Sequence, residues 1–185
     1  MHRPSPDSIG TAITLRPVGT VHSTVQQPFL VADRDGISMR EGHDASMDHI
    51  RSTSGAITKI VFSEDCTGVL DGIEEYSHLM VLYWGHKVPE DSRSLTHVHP
   101  MGRTDIPKVG IYATCSPARP NPVLMTVVRL HARRENVLEV AGLDAVDGSP
   151  VVDIKPYVPA QFPKTEVRVP AWMDGLMKEV GERRV

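Results

Sequence analysis

Apolar and polar positions alternate in short runs broken by turn residues, and a helical period enters only near the end of the chain. ITLRPVGTVHS (13–23) and AITKIVF (56–62) alternate as strands. Between them, residues 32–55 are polar, charged and nearly without apolar period, which predicts a flexible lid or a disordered insertion. SEDCTGVLDGIEEY is turn-rich, with room for a short helix. HLMVLYWGH (78–86) is an almost continuous apolar run and predicts a central strand. The segment after it, including THVHP, reads as polar loop. Four β runs follow in quick succession: KVGIYAT (108–114), VLMTVVRL (123–130), NVLEVAGL (136–143) and VVDIKPYV (151–158). The turn signals SPARPNP, HARRE and AVDGSP separate them. In the tail, Pro170 suits a first helical position, and Trp172, Leu176 and Val180 recur every four residues with Met173 and Met177 beside them. An amphipathic helix is expected there.

Six or seven short strands without βαβ alternation predict a mainly β fold, a small β-barrel or strongly curved sheet with short helices and a C-terminal helix. Residues 1–14 are expected to be a loose arm and 15–160 the barrel domain, with 161–185 an extension bearing the helix. A length of 185 residues suits one such domain, and a hydrophobic fraction of 40% can supply its core. Net charge is −3, so contact with nucleic acid needs a local basic patch rather than a global field. Cys66 and Cys115 form no disulfide framework, which makes a reducing compartment the simpler home. The first residues lack an apolar signal-peptide core, and no apolar run approaches the roughly 20 residues that span a bilayer. The expectation is a cytoplasmic protein without a membrane partner.

Two stretches carry the chemistry. In ATCSPARPNP, prolines fix their own φ and push the preceding residues toward extended geometry, so the backbone at Arg119 and Asn121 is set in advance. Such a corner is either a rigid hairpin connection or a wall that presents those two side chains to a ligand or another subunit. In LDAVDGSPVVDIKPYVP, Asp147-Gly148 is a turn signal with Asp144 just before it. Asp153 and Lys155, two apart on a strand, share one face and read equally well as a solvent-facing ion pair. His97-x-His99 lacks a third ligand at suitable spacing, so no metal is expected. Cys115 is expected to be a small buried residue, and the charged HARRE a solvated turn.

Taken together these stretches resemble the TsaA-like family, whose characterised members are S-adenosylmethionine-dependent tRNA (adenine(37)-N6)-methyltransferases. The family reads roughly GVFATRSPxRPNPIGLSxVxL and DxxDGTPVLDIKPYxP, against GIYATCSPARPNPVLMTVVRL and DAVDGSPVVDIKPYVP. Upstream, GVLDGIEEYSHLMVLYWGHK is similar to GLxGLExFSHLWVLYxFHx, and VGTVHS to IGVVHSP. The resemblance covers residues 17–159. It implies a single-sheet barrel that binds S-adenosylmethionine, often as a homodimer with the site near the interface, and tRNA as acceptor.

Carried over position by position, the resemblance places Gln27, Pro28, His86, Lys87, Cys115, Met125 and the run Asp144, Ala145, Val146, Asp147 at the cofactor. Arg119 and Asn121, held in advance by the proline corner, are the expected substrate contacts. His86, Asp153 and Tyr157 are candidate bases for the N6 proton. Lys155, with Asp153 and Tyr157, belongs to the expected catalytic group, and Arg119, Lys155, Arg129, Arg133 and Arg134 are candidates for phosphate contact. Three departures stand out: Cys115 replaces the family arginine, Leu124-Met125-Thr126 replaces GLS, and residues 29–55 show little resemblance. A small-molecule methyl acceptor, or a non-catalytic S-adenosylmethionine-binding module, is the alternative reading.

Overall fold

The structure, a computed structural model, describes residues 12–40 and 55–182. The described residues form ten strands: β1 (Gly19–His22), β2 (Leu30–Ala32), β3 (Ile37–Met39), β4 (Ile57–Phe62), β5 (His78–Trp84), β6 (His97–Val98), β7 (Val109–Gly110), β8 (Val123–Arg134), β9 (Val137–Ala141) and β10 (Pro150–Pro156). Six of them close a barrel in the order β1-β10-β5-β8-β9-β4, with every neighbouring pair antiparallel. A closed mainly β barrel is the architecture the alternation predicts.

Period-two alternation decides what fills the barrel. Leu79, Val81 and Tyr83 of β5 point inward, as do Val128 of β8, Leu138 and Val140 of β9 and Ile60 and Phe62 of β4. Val21 and Val151 complete the packing from β1 and β10, and both are fully buried. Fully burying one such aliphatic side chain contributes about 1.5–3 kcal/mol, so this cluster is the main source of stability. A register shift between Val151 and Asp153 in β10, and another between Leu130 and Ala132 in β8, bend the strands where the sheet curves back on itself.

Four expectations are corrected. The first strand is confined to Gly19–His22, because residues 12–17 are exposed and Pro17 has no amide for a ladder. KVGIYAT is not one strand: Val109–Gly110 pairs with His97–Val98, and the chain then turns through a 3-10 segment at Ile111–Ala113. THVHP, read as loop, supplies that pairing partner. HARRE is not a turn either. β8 runs on to Arg134, and the reversal moves to Glu135-Asn136, with Glu135 at φ 53°. Arg133 holds this extension by donating to Leu70 O at 3.0 Å and to Asp71 at 2.8 Å.

A hairpin, β2–β3, leads into the polar insertion, its turn closed by Asp33 accepting the amides of Asp35 and Gly36. The rest of the insertion, 41–54 with His43 and His49, lies outside the described residues. The hairpin rests on Gly102, at φ 71°, where an added Cβ would stand 2.7 Å from Ile37 O. The next residue, Arg103, donates to Asp105 and also to Glu179 of the C-terminal helix α1 (Ala171–Glu182), at 2.6 Å each. Leu176 is the buried anchor of that helix.

Candidate functional site

One mouth of the barrel gathers four segments: residues 23–28 after β1, 85–88 after β5, 119–122 before β8 and 142–149 between β9 and β10. Two of them are joined through Asp147. Its amide donates to Val25 O at 2.7 Å and its Oδ1 accepts the Ser23 amide at 3.0 Å. The Ser23 amide, helped by the Gln26 side chain and by nearby His22 and Lys87, holds the Asp147 carboxyl below the usual carboxylate range. Gly148, at φ 79°, occupies the third position of the turn closed by Ser149 N donating to Val146 O at 3.0 Å, a place that calls for glycine.

His86 faces this turn. Its Nδ1 lies 3.2 Å from Ser149 Oγ, and its Nε2 lies where a Cβ on residue 148 would come within 3.9 Å. Burial, followed by the charge of Lys87, pushes the His86 pKa below its ordinary value, with Asp147 opposing. Lys87 reaches from the same strand end to the carbonyl of Gln26. Gln27 is exposed beside it, and Pro28 O accepts from Arg40 Nε at 3.2 Å.

Asp144 is tied differently. Its Oδ1 accepts the Tyr83 hydroxyl at 2.8 Å and the Thr126 hydroxyl at 2.7 Å. Its neighbours Leu143 and Ala145 are buried in the core cluster while the Asp144 side chain itself is exposed. Tyr83 and Thr126 are absent from the expected site. Both sit in apolar, β-branched runs, where a hydroxyl looks like a tolerated core atom; the usable signal was an inward position whose O–H needs an acceptor.

The proline corner packs against the strand end that carries His86. Gly85 N donates to Pro122 O at 2.8 Å, and a Cβ at residue 85 would meet Val88 Cγ2 at 3.0 Å and Leu124 Cδ1 at 3.3 Å. Arg119 turns back into its own loop, donating from Nε to Ser116 O at 2.7 Å and from Nη2 to Thr114 O at 2.6 Å. Asn121 and Pro120 are exposed. Cys115 is exposed rather than buried, because inward places in this loop go to Ser116 and Ala118.

The remaining candidates stand apart from the mouth. Asp153 pairs with Leu82 and Leu82 with Met125, and Lys155 pairs with Met80, all outward positions beside the inward Val81 and Tyr83. Met125 is 59% exposed. Asp153 and Lys155 form an ion pair at 2.7 Å, and the Tyr157 ring stacks on Phe162 at 5.1 Å. Arg133 is committed to Leu70, Asp71 and Glu74, and Arg134 lies 3.4 Å from Glu139. His99 Nδ1 lies 2.8 Å from Ile106 O. Among the described residues no group of three or more His, Cys, Asp or Glu side chains is placed to hold a metal.

The sequence model of the tRNA-methyltransferase O N-terminal domain matches residues 48–161, which include 85–88, the proline corner and the 142–149 loop. The chain belongs to this family. A probable S-adenosyl-L-methionine-binding protein of Methanothermobacter thermautotrophicus is 41% identical over 78% of this chain and 90% of its own length. A protein of the same description from Pyrococcus abyssi is 34% identical, over 88% of this chain and 77% of the relative. The tRNA (adenine(37)-N6)-methyltransferase of Escherichia coli is 32% identical over 77% of this chain and 56% of that enzyme. The family's fold is also the one observed: a crystal structure of TrmO from Pseudomonas aeruginosa superposes with a TM-score of 0.62 at 25% identity, covering 89% of this chain. The chain spans 63% of that longer TrmO. Among the described residues no helix is long and apolar enough to cross a membrane.

Proposed function

We propose that this chain is an S-adenosylmethionine-dependent methyltransferase whose acceptor is N6 of a threonylcarbamoyl-modified adenosine at tRNA position 37. One observation carries the reading: the barrel mouth holds two carboxylates, Asp144 and Asp147, and an imidazole, His86, whose pKa burial pushes below its ordinary value, all on short hydrogen-bonded loops. Family membership and the names borne by relatives support the cofactor and the acceptor.

The donor set suits the cofactor. Asp144 keeps its Oδ2 unbonded among the described residues and faces solvent, an acceptor for a ribose hydroxyl or an ammonium group. Asp147 fixes the loop after β1 as a second wall. When bound, S-adenosylmethionine supplies an electrophilic methyl group on a sulfonium. Orientation and exclusion of water are then the chain's main tasks. As the N6–methyl bond forms, the N6 proton must leave, and the carbamoyl substituent makes it acidic enough for a weak base. His86 is the base the geometry favours over Asp153 and Tyr157. In the tautomer that donates Nδ1–H to Ser149 Oγ, Nε2, the nitrogen on the Gly148 side, carries the lone pair that would take the N6 proton.

The test is nucleoside mass spectrometry after incubating the purified chain with S-adenosylmethionine and tRNA carrying the unmethylated threonylcarbamoyl adenosine. Conversion to the N6-methylated nucleoside is the expected result. An unchanged nucleoside, with methylation appearing only in a small-molecule extract, would overturn the tRNA assignment.

A further inference from the structure

We propose that Tyr83 and Thr126 are positioning residues that act on the cofactor through Asp144, an inference that rests on the methyltransferase reading above. Tyr83 is 4% exposed and inward-facing near the end of β5. Thr126 lies on the neighbouring strand, where Val81 is its register partner. Their hydroxyls converge from two strands on one oxygen, Asp144 Oδ1, at 2.8 and 2.7 Å.

Packing alone does not call for this arrangement. Phenylalanine and valine would fill the two inward positions with no donor to satisfy, and polar atoms there cost desolvation unless paired. The pair gains meaning from what it does to the carboxylate. Two donors saturate Oδ1 and fix the plane of the group, so Oδ2 is the edge turned to an incoming donor. The backbone cannot swing to undo this, since Leu143 and Ala145, on either side, are each 1% exposed. Burial, with the adjacent Asp144 charge, raises the Tyr83 hydroxyl above the ordinary tyrosine range, so it remains a proton donor across the working pH. The barrel interior thereby aims a group on its rim.

A double-mutant cycle on the full chain tests this, with S-adenosylmethionine affinity read by calorimetry and folding by thermal melting. Tyr83→Phe and Thr126→Val are each expected to weaken binding roughly five- to tenfold. Thr126→Ser, which keeps the hydroxyl, should bind within about twofold of wild type on the same scale. In an Asp144→Ala background, Tyr83→Phe should weaken binding no further. Thr126→Val answers the question should Tyr83→Phe fold poorly, since its side chain is only partly buried. Wild-type affinity in both single variants, or an undiminished Tyr83→Phe effect without Asp144, would overturn the inference and leave the methyltransferase reading standing. Failure of the wild-type chain to bind S-adenosylmethionine would overturn both.

Discussion

Lys87 Nζ donates to the backbone carbonyl of Gln26, bridging the barrel mouth from the end of β5 to the loop after β1. The two residues are far apart in sequence, and Gln26 in turn donates from Nε2 to Ser23 O at 3.3 Å. One exposed ammonium thus braces a loop that has no strand to hold it.

Replacing Lys87 with methionine keeps most of the aliphatic stem and removes the brace. A net hydrogen bond of about 1 kcal/mol predicts a loss of S-adenosylmethionine affinity of roughly threefold to tenfold. The melting temperature should stay within about 2 °C, because the core is untouched. Calorimetry and melting on the same sample check both, and unchanged affinity would remove the loop from the site.

The pH profile should carry the signature of His86. Its folded pKa lies below the ordinary 6.5, so the unfolded chain takes up the proton first as pH falls. The stability this residue contributes is complete above about pH 6.5 and is lost progressively below it, through the depressed folded value. Asp147 acts with the same sign in a more acidic window, below the ordinary 3.8. Catalysis by neutral His86 should be flat above neutrality and fall on the acid side. His86→Gln is expected to remove that acid limb; kcat/KM measured from pH 5 to 9 decides it, a range spanning the ordinary histidine titration.

Arg119 is a brace for its own loop, because its guanidinium reaches both Ser116 O and Thr114 O. Arg119→Ala should therefore lower stability, by about 1–3 kcal/mol, along with activity. Arg119→Lys should rescue only part, since an ammonium cannot reproduce the planar fork. Full stability with lost activity in Arg119→Ala would instead mark a residue reserved for substrate.

How far the sequence could be read varies along the chain for physical reasons. The almost continuous apolar run HLMVLYW and the alternation in NVLEV mark strands directly, so both elements were legible. HARRE misled because charged residues are as much at home on the solvent face of a long strand as in a turn. Arg133 finds its carboxylates on a distant segment that local pattern does not report. In KVGIYAT, β-branched residues favour a strand, but Thr114 Oγ1 donates to Ile111 O at 2.8 Å and draws the chain into a 3-10 turn. The Asp144 loop was visible as a motif. Its partners Tyr83 and Thr126 were not, because long-range register decides which hydroxyls meet which carboxylate.

Gly102 should be the least tolerant glycine of the hairpin contact. An alanine Cβ there would meet backbone atoms, Ile37 O at 2.7 Å and Ser38 Cα at 3.0 Å, in a left-handed conformation. The expected cost of Gly102→Ala is about 1–3 kcal/mol, expressed as early release of β2–β3. Hydrogen exchange showing loss of protection at the hairpin amides before the barrel strands would confirm the order of events. Wild-type protection at those amides would refute it.

The barrel closes by pairing Gly19 with both Val151 and Phe62, so an early strand waits for one of the last. On a ribosome, β1, β4, β5, β8 and β9 emerge before β10 can join β1 to β5, and until then the growing chain presents two unpaired ladder edges. Contacts of such long sequence separation form slowly, because the loop-closure entropy must be met before the ladder bonds repay it. Until β10 is made, the nascent chain is therefore exposed to edge-to-edge association. A chain truncated before Pro150 should aggregate more readily than one that includes β10.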